Sequence, residues 1–426
     1  MTAIVLFGSF VFFLLLTVPI GFSLGLSTLV TIIYADVTSV QYLAQSLVAS
    51  TDSFPLMAVP FFILAGEIMG KGGISERLFK FANVFVGNFT GGFAMAAVIT
   101  CMFFAAISGS GPATVAAVGG VMIPAMVGFG YDKRFATAVV VSAGALGIII
   151  PPSIPMVLYG VSGSVSIGDM FIAGILPGIL IGIVMIAWSY IYSKKQGYKG
   201  NGEKFTLKRA WAELNEAKWA ILVPVIILGG IYGGIFTPTE AAVVAVVYAA
   251  IVSLFIYKEL NFKSFPAVIK DAALTSATIL IIIGTANAFG KILTLEQIPA
   301  MVADALLSIS SNPLIIILLI NILLLFVGCF MDTSAAVIIL TPILLPIAIN
   351  IGIDPIHFGI IMIVNLAIGF ITPPVGVNLF VGSGISGLSI ETLSKAVLPF
   401  LISMLLSLMV ITLIPELSLF LIQLLK

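Results

Sequence analysis

Four segments of the chain place small, polar or proline residues inside stretches that are otherwise apolar. They are ISGSGPATVAA (residues 107–117), FMDTSAAVIILTPILLP (330–346), GIIIPPSIP (147–155) and GFITPPVGVN (369–378). Tandem prolines remove amide donors and clash with the preceding turn, so a helix must unwind there. Carbonyls freed inside a membrane need partners such as a cation, and the helix that follows presents its amides to an anion. The four segments therefore predict sites for ions.

The segments combine into two candidate cation sites, each where the tip of a predicted hairpin meets an unwound helix. We expect the first site to use Ser108, Ser110, Gly147 and Pro151, and the second to use Gly328, Asp332, Gly369 and Thr372. Sodium suits such oxygen ligands, and we expect about two Na+ as coupling ions. Each Na+ that enters down a potential of 100 mV supplies about 2.3 kcal/mol, enough for two ions to drive uphill uptake of an anion.

The same segments contain the candidate substrate-binding residues, which are Ser110, Ser153, Asp332, Thr333 and Asn378. Asp332 is the carboxylate at a predicted hairpin tip. An acid inside a membrane is a functional candidate by default, here as a sodium ligand or as an acceptor for substrate hydroxyls. The structural alternative is that Asp332 only caps the half-helix that follows it.

An internal duplication relates the four segments in pairs. A shift of 222 positions, without a gap, superposes Pro124 on Pro346, Gly130 on Gly352, Asp132 on Asp354, Gly147 on Gly369, Pro151 and Pro152 on Pro373 and Pro374, Gly160 on Gly382, and Pro177 on Pro399. Gly and Pro are common in membrane spans, where they often only kink a helix. Four breaks that correspond pairwise instead favour a transporter, whose inverted repeats hold the binding sites at mid-membrane.

Composition requires that most of the chain lies in lipid. Hydrophobic residues make up 61% and charged residues 8%, with a mean hydropathy of +1.26, whereas about 25% of a soluble domain is charged. No polar block is long enough for a catalytic ectodomain, so we expect no enzyme. Cys101 and Cys329 lie in apolar runs without a CxxC or Cys/His cluster, which gives no metal or redox motif. We expect no nucleic acid partner.

The fold class that follows is an all-α integral membrane protein of two inverted repeats, with two re-entrant hairpins and two unwound helices. Clusters of Lys and Arg mark the cytoplasmic connections and place the amino terminus on the opposite, outer side of the membrane, which is the periplasm if the membrane is a bacterial inner membrane. The start of the chain lacks the features of a cleaved secretory signal and is predicted to be a membrane helix. We expect a first repeat at 1–193 (scaffold helices 1–70, hairpin and broken helix 90–161), a basic linker at 194–218, and a second repeat at 219–426 (scaffold helices 219–293, hairpin and broken helix 313–383).

With these segments in place, the chain resembles the large membrane subunit of tripartite ATP-independent periplasmic (TRAP) transporters over essentially its full length. The resemblance rests on SGSGPATVAA, GIIIPPSIP, GIFTPTEAA (234–242), MDTSAAVIILTPILLP and GFITPPVGVNLF. It implies a multi-pass protein of the bacterial inner membrane that takes up substrate by a sodium-driven, elevator-type movement. It also implies two partners: a small four-helix membrane subunit, expected here on a separate polypeptide, and a periplasmic substrate-binding protein.

The resemblance implies an organic acid substrate, with C4-dicarboxylates and sialic acids as the main candidates. No Lys, Arg or His lies among the predicted tips and breaks. A carboxylate would depend on amides, hydroxyls and sodium, and Asp332 would repel a second negative charge. We therefore expect a hydroxylated monocarboxylate, most of all sialic acid (N-acetylneuraminate), with a C4-dicarboxylate as the alternative.

Other classes of membrane protein fit the pattern less well. A stand-alone sodium/anion symporter would share the two-hairpin architecture, but its usual Ser-Asn-Thr tip sequence is absent from this chain. An intramembrane aspartyl protease needs two carboxylates that share a proton, and Asp332 has no evident second acid. A channel is disfavoured because two repeat-related sites suit alternating access better than a continuous pore.

Overall fold

The computed structural model describes residues 1–200, 202–203, 205–310 and 312–425, and within them the regular structure is helical with no strand. Short 3-10 segments precede α4 (Pro55–Met57) and follow α8 (Ala145–Ile148), and a π-helical turn (Val252–Ile256) follows α12. The α-helices in chain order are α1 (Thr2–Leu15), α2 (Ile20–Ala35), α3 (Val40–Ala49), α4 (Ala58–Lys71), α5 (Ile74–Val86), α6 (Gly92–Ser108), α7 (Gly111–Gly128), α8 (Lys133–Gly144), α9 (Ile154–Ser162), α10 (Ile167–Gln196), α11 (Leu207–Tyr232), α12 (Pro238–Ile251), α13 (Phe265–Leu295), α14 (Ile298–Ile309), α15 (Pro313–Gly328), α16 (Thr333–Asn350), α17 (Pro355–Gly369), α18 (Val377–Ser386), α19 (Ile390–Leu413) and α20 (Glu416–Leu425).

Seven of the helices in the described part of the chain are long and apolar enough to cross a membrane. An eighth span is counted if α4 and α5, which bend by 70° at their junction, form one crossing. The predicted all-helical membrane fold is therefore confirmed.

The duplication is visible in the helix boundaries. Shifting α7 (Gly111–Gly128) by 222 positions gives the bounds of α16 (Thr333–Asn350). The glycines that follow these helices, Gly130 and Gly352, have φ angles of 86° and 85°, a backbone conformation that glycine adopts at little cost. Asp132 and Asp354 then cap α8 and α17 in the same way, each accepting hydrogen bonds from two amides of the first turn. The local turn chemistry is thus duplicated along with the helices.

Two hairpins occur in the chain, and their second arms, α7 and α16, are the two shortest of these seven helices. The first joins α6 to α7, and the second joins α15 to α16. The longest arm in either hairpin has 18 residues, which at 1.5 Å per residue gives about 27 Å, a little less than a hydrocarbon core of about 30 Å. This length suits arms that enter the membrane and meet a tip inside it.

Outside the hairpins, helices from the first half of the chain pack against helices from the second half and form a framework. α4 contacts α12 and α13, and α2 contacts α13. In the GIFTPTEAA segment, Thr237 caps α12 in a capping box with Glu240, and the Thr239 hydroxyl donates to the Phe54 carbonyl at 3.0 Å. The Lys71 ammonium lies 2.6 Å from the Asp271 carboxylate, which joins α4 to α13. This framework supports one side of the site described below.

The predicted basic linker 194–218 is largely helical in the structure. α10 continues to Gln196, and α11 begins at Leu207 behind an N-cap from Thr206. Lys and Arg are good helix formers, so the positive charges do not by themselves end a helix. Only the short connection between α10 and α11 is non-helical among the described residues of this segment.

Candidate functional site

The tip of the first hairpin (tip 1, residues 108–111) is a compact turn stabilised by hydroxyl groups. Gly109 has a φ of 61°, which reverses the chain. The Ser108 Oγ lies 3.0 Å from the Thr114 Oγ1, and the Thr114 hydroxyl donates to the Ser110 carbonyl at 2.8 Å. Ser110 is the N-cap of α7, although its hydroxyl lies 3.5 Å from the Ala113 amide. Several oxygens therefore converge at tip 1.

The unwound segment of the first repeat (break 1, residues 149–153) lies directly against tip 1. A Cβ on Gly147, just before the break, would overlap the carbonyl oxygen of Ser110, so only glycine permits this approach. The Ile154 amide, just after the break, donates to the Gly109 carbonyl at 3.2 Å. The structure thus brings Ser108, Ser110 and Gly147 of the first predicted cation site together, with Pro151 in the adjoining break.

The tip of the second hairpin (tip 2, residues 328–333) is longer and more open. Asp332 is half-buried and caps α16, accepting from the Ser334 amide at 2.8 Å. The Thr333 hydroxyl is buried and has no hydrogen-bond partner among the described residues. Phe330 is 49% exposed. Asp332 therefore performs the capping role, and its position at the tip also leaves it beside the cavity described below.

The unwound segment of the second repeat (break 2, residues 370–376) meets tip 2 as break 1 meets tip 1. A Cβ on Gly369 would overlap the carbonyl oxygen of Gly328. The Val375 amide donates to the Cys329 carbonyl at 3.3 Å. Thr372 lies in the break, and its hydroxyl donates to the Ile368 carbonyl at 2.7 Å. The structure thus brings Gly328 and Gly369 of the second predicted cation site together, with Thr372 in the adjoining break and Asp332 at the far end of the tip.

A cavity of about 490 Å³ joins the two tips. Ser110 of tip 1 and both Asp332 and Thr333 of tip 2 line it, together with Thr275 and Thr278 of α13. The remaining lining residues are Gly109, Pro112, Ile148, Ile154, Pro155, Ile279, Ile282, Ser334 and Phe370. None of the described lining residues is Lys, Arg or His. An anion in this cavity would be held by hydroxyls, by amides of the first turns of α7 and α16, and by nearby cations.

The family of this chain follows from comparison with known proteins. A family model for the tripartite ATP-independent periplasmic transporter, DctM component, matches residues 7–417. The chain belongs to this family. DctM proteins are transporter permeases and not enzymes, so the expectation of a non-enzyme is confirmed.

Two relatives and one solved structure illustrate the likeness. This DctM-family chain is 53% identical over 416 residues to the isethionate TRAP transporter permease protein DctMQ of Oleidesulfovibrio alaskensis, covering 98% of this chain but only 66% of that protein's length. It is 46% identical over 397 residues to the C4-dicarboxylate TRAP transporter large permease protein DctM of Pseudomonas aeruginosa, covering 93% of each. The Alcanivorax borkumensis YdaH transporter superposes with a TM-score of 0.63 at 15% identity over 88% of each chain, which is a likeness of fold.

Two predicted substrate-binding residues of this DctM-family chain do not line the cavity. Ser153 is buried in break 1, where its hydroxyl donates to the Ile148 carbonyl at 2.7 Å and caps α9. Asn378 is buried where break 2 meets α8, and its amide donates to the Val141 carbonyl at 3.2 Å. The Asn378 Oδ1 has no partner among the described residues and would lie 3.3 Å from a Cβ on Gly111. Asn378 thus links the second repeat to tip 1.

Several residues at the site were not predicted from the sequence. Thr114 adds a hydroxyl to tip 1, four residues after Ser110, which is the spacing that brings helical side chains onto one face. Thr275 and Thr278 contribute hydroxyls from the wall opposite the tips, inside a long helix that no proline interrupts. Phe370 covers tip 1, since its ring carbon lies 2.8 Å from where a Cβ on Gly111 would sit. The spacing of four residues from Ser110 could have identified Thr114. No local sequence feature identifies Thr275, Thr278 or Phe370 as site residues.

Proposed function

We propose that the chain is the large permease subunit of a sodium-driven transporter that imports an organic anion. The observation that carries the proposal is the cavity between the two tips, which combines hydroxyls and helix N-termini with no cationic side chain in its described lining. A negative substrate there needs positive charge from elsewhere. Sodium ions at the two tip-and-break junctions would supply it, which would couple substrate binding to sodium binding.

Each junction offers oxygen ligands suited to Na+. Hydroxyls and carbonyls of Ser108, Ser110 and Thr114 converge at tip 1, and Asp332 adds a carboxylate at tip 2. No cluster of three or more His, Cys, Asp or Glu residues occurs among the described residues. Hydroxyl and carbonyl oxygens are hard donors, which supports a cation such as Na+ better than a transition metal. We propose about two Na+ per transport cycle.

The proposed movement is of the elevator type. The tips and breaks would form a mobile unit, and the framework that contains α2, α4, α12 and α13 would stay fixed in the membrane. The cavity supports this division because α13 supplies one wall and the two hairpins supply the opposite one. We propose that the amino terminus faces the periplasm in the bacterial inner membrane, in accordance with the basic clusters at the opposite face.

The proposed partners are a small membrane subunit and a periplasmic substrate-binding protein. Tripartite transporters of this family work with both, and the family description names the system tripartite and periplasmic. The binding protein would deliver the anion to the cavity, and the small subunit would complete the fixed framework.

For the substrate, we propose a hydroxylated monoanion, with isethionate as the first candidate. Isethionate carries one sulfonate and one hydroxyl, and the relative named for it is 53% identical to this chain. The hydroxyl would donate to the Asp332 carboxylate, while the sulfonate would accept from amides and hydroxyls at the tips. Sialic acid, the substrate predicted from the sequence, satisfies the same charge argument and stays a prediction. A C4-dicarboxylate would bring a second negative charge toward Asp332.

The test is uptake by proteoliposomes that contain this chain, its small subunit and one binding protein at a time. An inward sodium gradient should drive accumulation of labelled isethionate, and an equal potassium gradient should not. Sialic acid and a C4-dicarboxylate, each with its own binding protein, form the comparison arms. Sodium-driven uptake by this chain alone would instead indicate a stand-alone symporter. Uptake that does not depend on the sodium gradient would refute the proposed coupling of substrate to sodium.

A further inference from the structure

A second polar cavity, of about 510 Å³, lies between the start of α8, the end of α10 and the start of α19. Its lining consists of Asp132, Arg134, Phe135, Trp188, Tyr192, Thr392, Lys395, Ala396, Pro399 and Phe400. None of these residues lines the cavity at the hairpin tips. The neighbouring Lys133, Lys194 and Lys195 make this end of the molecule basic. We call this cavity the α8–α10–α19 pocket.

The pocket presents both signs of charge. Arg134 forms no ion pair among the described residues. Lys395 pairs only with Glu391 of its own helix, at 3.0 Å, and the two side chains are 75% and 82% exposed, so that contact is weak. One Asp132 oxygen accepts from the amides of Arg134 and Phe135, and the other has no hydrogen-bond partner among the described residues. Two cations and one carboxylate therefore remain available to a ligand.

Aromatic rings form the inner wall of the pocket. The rings of Phe135 and Tyr192 stack with centroids 4.2 Å apart, and Phe400 lies 6.3 Å from Phe135. Burial raises the pKa of the adjoining Tyr131 to about 12, so this phenol stays neutral and adds no charge. Ring faces attract cations such as an ammonium group, and Trp and Tyr are typical of the membrane interface. The wall thus suits a positive group held near Asp132.

An apolar path leads from the pocket toward the membrane interior. Lys395 and Pro399 line the pocket on α19, and Ile402 and Leu406 follow on the same helical face at spacings of three and four residues. Ile402 is 56% exposed and Leu406 is 63% exposed. An acyl chain lying along this face would contact both side chains.

In the second repeat, the position that corresponds to the α8–α10–α19 pocket is occupied by a helix of the chain itself, α20. There α20 packs against α10 and α17, and its Ser418 hydroxyl lies 3.1 Å from the ring of His357, the counterpart of Phe135 under the 222-residue shift. In the first repeat, the next helix after α10 is α11, which packs instead against α5, α6 and α12. The described part of the chain supplies no equivalent helix for the α8–α10–α19 pocket. Tyr198, which follows α10, reaches this corner, where its ring lies 6.0 Å from that of Phe135 and its hydroxyl accepts from the Asp132 amide at 3.0 Å. The cavity beside these residues can therefore accept an outside molecule.

We propose that the α8–α10–α19 pocket binds the phosphoethanolamine headgroup of a bilayer glycerophospholipid. Arg134 and Lys395 contact the phosphate, because guanidinium and ammonium groups form charge-assisted hydrogen bonds to phosphate oxygens. Asp132 and the aromatic wall hold the ammonium group. Ile402 and Leu406 contact an acyl chain. A headgroup with both charges matches the pocket better than a purely anionic one, because Asp132 would repel an anion that lacked the ammonium.

The proposal is tested by native mass spectrometry, which measures the binding of phosphatidylethanolamine and of phosphatidylglycerol to the purified protein. The unaltered protein should bind phosphatidylethanolamine more tightly. The double variant Arg134→Gln, Lys395→Gln should bind both lipids about tenfold more weakly. Asp132→Asn should abolish the preference for phosphatidylethanolamine while the helix stays capped, since Asn is an equally good N-cap.

Matched controls separate this site from general charge effects. Lys194→Gln, Lys195→Gln removes two exposed cations from the same end without touching the pocket lining, so its lipid binding should be unchanged. Ile402→Ser, Leu406→Ser should weaken lipid binding but leave binding of soluble glycerophosphoethanolamine unaltered. The proposal would be overturned if Lys194→Gln, Lys195→Gln lost as much lipid binding as Arg134→Gln, Lys395→Gln. It would also be overturned if the soluble headgroup bound as tightly as the whole lipid. Equal affinity for both lipids would overturn the role of Asp132.

Discussion

The two hairpin tips occupy corresponding places in the repeat and differ in how closed they are. Tip 1 joins α6 to α7 through two residues, whereas tip 2 joins α15 to α16 through four. Ser108, Gly109 and Gly111 are buried at tip 1, while Phe330 is exposed at tip 2. The two tips therefore differ both in the length of the turn and in its exposure.

The breaks beside the tips also differ in exposure. Pro151 and Pro152 are buried in break 1, whereas Pro373 and Pro374 are exposed in break 2. Under the 222-residue shift, the position of Ser110 becomes Asp332, and that of the buried Thr114 becomes Ala336. The first half thus has a turn fixed by hydroxyl contacts, and the second half has an open turn with a carboxylate. We infer that tip 1 is built before any ligand arrives and that tip 2 is the part that responds to ligands.

The largest expected effect comes from the two repeat-related glycines that pack against the tips, Gly147 and Gly369. Gly147→Ala should abolish sodium-driven uptake, because its Cβ would overlap the Ser110 carbonyl where break 1 packs against tip 1. Overpacking of this kind costs about 1–3 kcal/mol of folding free energy. Gly369→Ala would overlap the backbone of the buried Gly328 just as closely, so uptake should fall severely there as well. Uptake in proteoliposomes and thermal unfolding measure both variants.

Gly120→Ala is the matched control for these two changes. Gly120 lies on α7, and a Cβ there would meet nothing within 4 Å. Its uptake and melting temperature should equal those of the unaltered protein. If Gly147→Ala transports as well as Gly120→Ala, the close contact of tip 1 with break 1 is not needed for transport.

The next prediction compares Asp332 with Asp354, two aspartates that both cap helices, and concerns a smaller change in uptake than the glycine variants. Asp332→Asn keeps a good N-cap but removes the charge at tip 2. Its apparent sodium affinity should fall about tenfold, which corresponds to about 1.4 kcal/mol. Asp354→Asn makes the same chemical change at the cap of α17, outside the hairpins, and should leave sodium dependence unaltered. Sodium titrations of the initial uptake rate measure both.

The two outcomes of the aspartate comparison have different meanings. Similar sodium curves for both variants would show that Asp332 acts only as a cap. A higher uptake of C4-dicarboxylate by Asp332→Asn than by the unaltered protein would strengthen the argument that this carboxylate disfavours dianions.

The positions of the tips and breaks were predictable because proline and glycine act locally. A tandem proline unwinds a helix wherever it lies, and the repeat showed that the breaks belong in pairs. The predicted residues Ser110, Asp332 and Thr333 all line the cavity. Short-range chemistry was therefore enough to place the tips, the breaks and three residues of the cavity wall.

The remaining site residues depend on packing that the sequence does not encode locally. Thr275 and Thr278 lie in an uninterrupted helix, and the packing of α13 against α16 places them beside the cavity. Ser153 and Asn378 have suitable side chains beside the breaks, but their side chains contact the Ile148 and Val141 carbonyls. Side-chain direction at an unwound segment is set by tertiary neighbours, which a single sequence does not show.

The smallest expected effect concerns the chain's two cysteines, one in each hairpin. Cys101 lies in α6 and is 0% exposed, whereas Cys329 is half-buried at tip 2. A water-soluble maleimide should label Cys329 and leave Cys101 unreacted. Sodium with substrate should slow the labelling of Cys329 about two- to fivefold, because ligands shift the population toward the state in which tip 2 is closed. Cys329→Ser should remove the label, and Cys101→Ser should not change its rate. Labelling of Cys101 at a comparable rate would mean that the first hairpin opens as readily as the second, and the contrast between a fixed and a responsive tip would then be wrong.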